Sequence, residues 1–259
     1  MFHGKPCWFE LTTPKGALAR TGDFYAKLFG WRIADAGMDG FTYHLASHGG
    51  DMIAGLYEAM DDTPAFWAVY FDVDDVDAAA DKIATLGGKL LHGPADIPGT
   101  GRFAVVSDPQ GAVFSILQPA AMDPQPGVDT GAWNQQKESH GNWIELMSTD
   151  PEAGFDFYAE MFGWAKSDTM PMGEMGNYQL FTWQGTQIGG MMGLGNAPRP
   201  CWLPYFGVNG VDAAIQRIEA AGGTVMHGPV EVPGPAFIAV AQDPNGAHFA
   251  IVGPKAQTA

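Results

Sequence analysis

A short phrase, Asp-Pro-x-Gly followed by an apolar run, occurs twice in this chain. It stands as Asp108-Pro109-Gln110-Gly111 and again, 135 residues later, as Asp243-Pro244-Asn245-Gly246. The same step relates Trp8 to Trp143, Glu10 to Glu145, Tyr43 to Tyr178, Tyr70 to Tyr205, Val76-Asp77-Ala78-Ala79 to Val211-Asp212-Ala213-Ala214, and His92-Gly93-Pro94 to His227-Gly228-Pro229. Matches at one spacing over so much of the chain mark a tandem duplication. Two modules of about 115 to 120 residues are expected, 1–119 and 142–259, each large enough for its own core. Residues 120–141, with Pro124, Pro126, Gly127 and Gly131 and no clear periodicity, read as the linker between them.

Within the first module, residues 7–12 alternate in the manner of a strand, with Trp8 and Glu10 on one face and Phe9 and Leu11 on the other. Ala17–Phe29 has helical spacing, with Phe24, Tyr25 and Leu28 on one side and Gly30 placed to end it. Its Phe-Tyr-x-x-x-Phe-Gly-Trp ending recurs at Phe157-Tyr158 and Phe162-Gly163-Trp164 and reads as helix-on-sheet packing. Phe41–Ser47 and Met52–Glu58 flank a hairpin-like turn, Ser47-His48-Gly49-Gly50-Asp51. A strand over Ala65–Val73 leads through Asp74-Asp75 into a helix over Val76–Leu86 that Gly87-Gly88 stops. Lys89–His92, Arg102–Ser107 and Ala112–Gln118 then read as strands, so each module is two β-α-β-β-β units. The second module shortens the loop before its first helix by two residues and lengthens the segment after Gly163-Trp164 by two.

The formal charge of −16 opposes a phosphate backbone, which argues against nucleic-acid partners. It favours solubility and cationic small ligands. No apolar run approaches the roughly 20 residues of a membrane helix, and the first residues lack a secretory apolar stretch, so a cytoplasmic location is expected. Cys7 and Cys201 fall at unmatched places in the repeat and read as reduced thiols.

Paired βαβββ units, the Asp-Pro-x-Gly turn before the last strand, and Phe-Tyr-x-x-x-Phe-Gly at the first helix together resemble the vicinal oxygen chelate superfamily. That superfamily includes glyoxalase I, extradiol dioxygenases and bleomycin-resistance proteins. The resemblance covers about residues 7–119 and 142–254 and is strongest to a two-module bacterial branch with Trp in the first strand and an ending like Gly101-Arg102-Phe103-Ala104-Val105-Val106-Ser107-Asp108-Pro109-Gln110-Gly111. It implies an α+β fold of tandem βαβββ units in curled mixed sheets, two modules related by a pseudo-two-fold, each cupped around a cavity. Such a tandem chain is expected as a monomer or a homodimer.

Enzymes of that superfamily usually hold a divalent metal. The matching positions here are Trp8 and Trp143, the strands of Ile53-Ala54-Gly55 and Ile188-Gly189-Gly190, Ala68 and Leu203, and Ser115 and Ala250. A divalent metal needs about three or four donors at roughly 2.0 to 2.6 Å, which indole, methyl and isobutyl groups do not offer. No metal or other cofactor is therefore expected.

If positions 8, 68 and 115 face inward, as the resemblance implies, strand parity adds neighbours two residues away. The inward sets become Trp8, Glu10, Phe66, Tyr70, Val113 and Ser115 in the first module. In the second they are Trp143, Glu145, Cys201, Leu203, Tyr205, His248 and Ala250. Rings with a few polar groups make a small-molecule pocket. Trp8, Glu10, Phe66, Tyr70, Trp143, Glu145, Tyr205 and His248 are the expected ligand-binding residues. Two functions follow from different classes: a metal-independent binder of a small organic, including cationic, molecule; or a lyase, isomerase or dioxygenase whose metal is held by displaced ligands, with Glu10, Glu145 and His248 as catalytic candidates.

Overall fold

The computed structural model describes residues 3–120 and 131–257. The first repeat runs β1 (Pro6–Thr13), α1 (Leu18–Phe29), β2 (Arg32–Asp35), β3 (Tyr43–His48), β4 (Asp51–Glu58), β5 (Phe66–Asp72), α2 (Val76–Thr85), β6 (Lys89–Ile97), β7 (Gly101–Ser107) and β8 (Val113–Pro119). The second runs β9 (Gly141–Ser148), α3 (Pro151–Phe162), β10 (Ala165–Pro171), β11 (Asn177–Trp183), β12 (Thr186–Gly193), β13 (Cys201–Gly207), α4 (Val211–Ala220), β14 (Thr224–Val232), β15 (Ala236–Gln242) and β16 (His248–Gly253), with a single 3₁₀ turn at Gly173–Met175. Two curled eight-stranded sheets result, ordered β2-β3-β4-β1-β5-β8-β7-β6 and β10-β11-β12-β9-β13-β16-β15-β14. The α+β class and the βαβββ repeat read from the sequence are both present. Among the described residues no helix is long and apolar enough to cross a membrane.

Two strands differ from the sequence reading for physical reasons. β2 is four residues long, mostly exposed and at a sheet edge, so it carries no alternation to recognise. β6 continues past His92 to Ile97 through a cis Gly93-Pro94 bond, which an edge strand with an irregular register admits.

Contacts divide the chain into two compact units, each combining parts of both repeats. One comprises 8–68, 131–143 and 204–257; the other comprises 3–7, 69–120 and 144–203. The core of the first is a ring cluster of Phe9, Tyr25, Phe29, Trp31, Trp67, Phe206 and Phe249, exemplified by Phe9 on Phe206 at 5.2 Å and Tyr25 on Phe249 at 5.5 Å. The other unit repeats the plan with Phe71, Phe114, Tyr158, Phe162, Trp164 and Trp202, and adds Phe181, stacked on Trp164 at 4.5 Å. Where the first unit pairs Ala46 with Ala54, the second pairs Phe181 with Gly189, and a β-carbon on Gly189 would collide with the Phe181 ring. Volume is thus exchanged between facing positions and the packing stays dense.

Of the expected linker, 121–130 lie outside the described residues. The following stretch is packed: Ala132, Trp133 and His140 are buried, and Trp31 Nε1 donates to the Ser139 carbonyl at 2.8 Å. Ser139 Oγ donates to the Phe29 carbonyl at 2.6 Å, and Lys137 pairs with Asp51 at 2.7 Å. Lack of periodicity marks irregular backbone, which here is well anchored.

Candidate functional site

Both duplicated motifs meet in a chain of buried hydrogen bonds. In one unit Trp67 Nε1 donates to the Tyr25 hydroxyl at 2.9 Å, which donates to Asp243 Oδ2 at 3.2 Å. In the other, Trp202 Nε1 donates to Tyr158 at 2.9 Å, which donates to Asp108 Oδ2 at 3.1 Å. The second carboxylate oxygen closes the Asp-Pro-x-Gly turn, accepting the backbone N–H of Ala112 at 2.8 Å or of Ala247 at 3.0 Å. Burial pushes both carboxyls above the ordinary Asp range and both phenols well above theirs. These chains join a helix of one repeat to a turn of the other, a structural role fully absorbed by protein partners.

A third chain of the same composition lies half-buried near the surface. Trp8 Nε1 donates to the Tyr43 hydroxyl at 3.1 Å, and Tyr43 donates to Glu10 Oε2 at 2.8 Å. The strands explain how it forms. β1 runs parallel to β4, with Glu10 beside Gly55 and Thr12 beside Tyr57, while antiparallel β3 sets Tyr43 beside Tyr57. Tyr43 is therefore two strands from Glu10, roughly 9 to 10 Å across the sheet. It spans that gap by leaning over Gly55, where a β-carbon would collide with its hydroxyl. Thr12 Oγ1 donates to the Tyr57 hydroxyl at 2.9 Å.

The rings of Tyr43 and Tyr57 lie almost parallel, 18° apart at 6.4 Å, and Phe41 tilts against them at 6.2 and 5.6 Å. Phe41 is 38% exposed, so this aromatic shelf reaches the surface at that ring. Burial, then the Glu10 charge, holds the Tyr43 phenol well above its ordinary pKa of 10.0 and raises that of Tyr57. Tyr43 is consequently a fixed hydrogen-bond donor at neutral pH, and Glu10 its acceptor. Three rings packed beside an oriented carboxylate, one of them partly exposed, can meet an apolar ligand that also carries a polar group.

The equivalent strands of the other unit keep the frame and change the walls. Glu145 lies beside Gly190, and a β-carbon on Gly190 would collide with the Tyr178 ring. Glu145 and Tyr178 are both buried, at 8% and 7% exposure. The pair Thr12 and Tyr57 becomes Met147 and Met192, again side by side, and Phe41 is replaced by Gly176. Burial pushes the Cys201 thiol up to about 11, with the charge of Glu145 adding to the rise and Arg199 opposing it, so this sulfur is a protonated, weak nucleophile at neutral pH.

Of the other residues expected from the sequence, Phe66 and Trp143 are half-buried. Tyr70 and Tyr205 are buried, at 3% and 4% exposure, opposite Ser115 and Ala250. His248 is exposed at the start of β16, where its Nε2 accepts from Gln242 Nε2 at 2.9 Å; burial of the ring and the opposing Asp243 charge leave its pKa below the ordinary value. Tyr43, Tyr57 and Phe41 lie outside the inward sets, because parity counted from positions 8, 68 and 115 does not reach β3 and β4. The repeat signal at Tyr43 and Tyr178 was the available clue.

The positions that the resemblance assigns to a metal carry Trp8 and Trp143, the segments Ile53-Ala54-Gly55 and Ile188-Gly189-Gly190, Ala68 and Leu203, and Ser115 and Ala250. Gly55 and Gly190 instead make room for tyrosine rings. Among the described residues, no group of three or more His, Cys, Asp or Glu is gathered as a metal would require. The donor set does not fit the divalent metal that the resemblance implies.

The sequence matches the Glyoxalase/Bleomycin resistance protein/Dioxygenase superfamily over residues 11–116 and 141–251. It is 33% identical to the anthracycline biosynthesis protein DnrV of Streptomyces peucetius, over 96% of this chain and 93% of that protein. It is 31% identical to a putative glyoxylase of Mycobacterium tuberculosis, over 98% and 96% respectively. Among solved structures, the fold resembles the Mn(II)-bound glyoxalase from Novosphingobium aromaticivorans, with a TM-score of 0.67 at 15% identity over 100% of this chain and 85% of that one. It also resembles homoprotocatechuate 2,3-dioxygenase from B. fuscum, with a TM-score of 0.69 at 18% identity over 99% and 73%. The chain thus belongs to the Glyoxalase/Bleomycin resistance protein/Dioxygenase superfamily, as a tandem two-module member.

Proposed function

We propose that this protein binds a small organic molecule on the Glu10 shelf and does so without the divalent metal of its catalytic relatives. The observation that carries this reading is the partly exposed ring cluster of Phe41, Tyr43 and Tyr57 beside a carboxylate that accepts from Tyr43, itself held by Trp8. The buried chains through Asp108 and Asp243 show what the same three groups look like when the carboxylate is committed to turn backbone. The likeness to a protein named for anthracycline biosynthesis supports a role in handling an organic metabolite.

Two measurements on protein purified without added metal test the proposal. Elemental analysis is expected to find much less than one equivalent of zinc, nickel, manganese or iron. Tryptophan fluorescence against a broad panel of organic ligands is expected to show binding that weakens on Glu10→Gln. About one equivalent of metal, lost on Glu145→Ala or His248→Ala, would replace this reading with the metal-dependent enzyme.

A further inference from the structure

We infer that a hollow beside the Asp108 turn binds an alkylguanidinium group, in the place that the other unit fills with its own Arg20. That hollow shares no residue with the Glu10 shelf, so it stands or falls apart from the proposed function.

The filled copy shows what such a place can hold. α1 and α3 align through Phe24-Tyr25 and Phe157-Tyr158, so Arg20, Thr21 and Asp23 correspond to Ala153, Gly154 and Asp156. Arg20 Nη2 donates to Asn245 Oδ1 at 2.6 Å, and Asn245 Nδ2 donates to Thr21 Oγ1 at 2.7 Å. Both ends of that turn amide are tied to the helix. In the other unit the amide is present as Gln110, but the guanidinium and the hydroxyl are missing, because Ala153 and Gly154 carry neither.

The space is correspondingly open. A hollow of about 370 Å³ is lined by Leu86, Pro109, Gln110, Ala153, Asp156 and Phe157, near the lower end of the roughly 300 to 1,000 Å³ usual for small-molecule sites. Gln110 Oε1 is buried with no hydrogen-bond partner among the described residues. A carbonyl oxygen in that state costs stability, and only an N–H or O–H donor relieves it. Gln110 as a whole is half-buried and one methylene longer than Asn245, so its amide can turn toward a donor in the hollow. Leu86, Pro109 and Phe157 give an alkyl stem apolar contact.

Charge narrows the choice of donor. α1 carries Arg20, Asp23 and Lys27, whereas α3 carries Glu152, Asp156 and Glu160 and no cation. Glu152 and Asp156 are exposed four residues apart on one face of the helix, where like charges repel. Lys82 pairs with Glu160 at 2.5 Å, and no residue lining the hollow is cationic. A neutral donor would satisfy Gln110 but not Asp156, and a cation without N–H groups would satisfy Asp156 but not Gln110. A guanidinium has a permanent charge and a planar fork of N–H donors, so it satisfies both. The positive end of α3 weakens this attraction, yet Arg20 holds its bond at the same turn of α1.

The test is a calorimetric titration of the intact protein with three probes: butylguanidinium; butylurea, its neutral counterpart; and butyltrimethylammonium, a cation without N–H donors. Butylguanidinium is expected to bind at one equivalent per chain and at least about tenfold more tightly than either of the others. Ala153→Arg, which restores the Arg20 side chain, should abolish that binding, and Asp156→Asn should weaken it about fivefold, with thermal unfolding still cooperative in both. Agmatine, a free small molecule, and N-acetylarginine methylamide, the same head on a peptide backbone, then separate the sources of the group; tighter binding of either one supports the inference and names its source. Equal affinity for butylurea or butyltrimethylammonium, two equivalent sites, binding undiminished in either variant, or failure of every guanidinium compound would overturn it. None of these outcomes bears on the Glu10 shelf, which Glu10→Gln tests separately.

Discussion

The Glu10 and Glu145 sites began as copies and share a frame: a carboxylate on the first strand, a glycine beside it, and a tyrosine from two strands away lying over that glycine. Their surroundings have since parted. Glu10 stands half-buried beside hydrogen-bonded aromatic rings, while Glu145 is buried on strands that carry Met147 and Met192 in place of Thr12 and Tyr57, and its charge acts on the protonated Cys201. What has been retained is the geometry that fixes a carboxylate, and what has changed is the surface a ligand would meet. Duplication therefore set the scaffold, and wall residues set the chemistry.

The glycines offer the strongest way to break the comparison. In Gly190→Ala the new methyl strikes the ring of a buried tyrosine that has no space to yield, and the expected loss is about 2 to 3 kcal/mol in denaturant unfolding. In Gly55→Ala the half-buried Tyr43 can swing outward, so the expected loss is nearer 1 kcal/mol, with Glu10 losing its donor. Equal losses would show that the two tyrosines are equally confined.

Next in size is Tyr43→Phe. It removes the hydroxyl that links Trp8 to Glu10 while keeping the ring, and should cost about 1 kcal/mol in the same unfolding assay. Tyr158→Phe deletes the corresponding link to Asp108 in a buried setting and should cost about 2 kcal/mol. A larger loss for Tyr43→Phe than for Tyr158→Phe would reverse the assignment of site and structural chains.

The phenols also give a pH signature. Tyr43 and Tyr57 have folded pKa values raised above 10.0, so the folded chain keeps protons that the unfolded chain releases. Their contribution to stability is complete below pH of about 10 and is lost as pH climbs through the folded values. Tyr57→Phe should therefore flatten the alkaline fall in stability measured by urea unfolding between about pH 9 and 11. An unchanged slope would show that this phenol is not shifted.

The smallest expected effect concerns the two Asp-Pro-x-Gly turns. Asn245 Nδ2 donates to Thr21 Oγ1 at 2.7 Å and its Oδ1 accepts from Arg20 Nη2 at 2.6 Å. At the matching place Gln110 faces Gly154, and its Oε1 is buried with no hydrogen-bond partner among the described residues. A β-carbon at Gly154 meets only ordinary van der Waals neighbours, so Gly154→Ala, which removes a glycine from the interior of α3, should raise stability by about 0.5 to 1 kcal/mol, read as a higher Tm. A lower Tm would show that the added methyl disturbs its nearest neighbours, Ser148, Leu146 and Gln110.

How far the sequence revealed these features depends on distance along the chain. The repeat, the βαβββ order and the inward face of Trp8 and Glu10 were legible because they rest on spacing and on strand parity within single segments. The partnership of Tyr158 with Asp108 was not, since a motif read as helix packing carries no sign of which turn it will meet. Nor was the reach of Tyr43 to Glu10, because it runs diagonally across a neighbouring strand and depends on the missing side chain of Gly55. In the sequence the segment Ile53-Ala54-Gly55 is informative only as one without a donor side chain; the positive role of Gly55 is the room it leaves.

The most direct test of the account is a crystal structure of the full chain grown with a small organic ligand that binds in the fluorescence panel. The account predicts that this ligand lies against the rings beside Glu10, with no cation coordinated by protein side chains in either sheet. A ligand seated equally at Glu145, or a metal ion held by side chains inside either sheet, would contradict it.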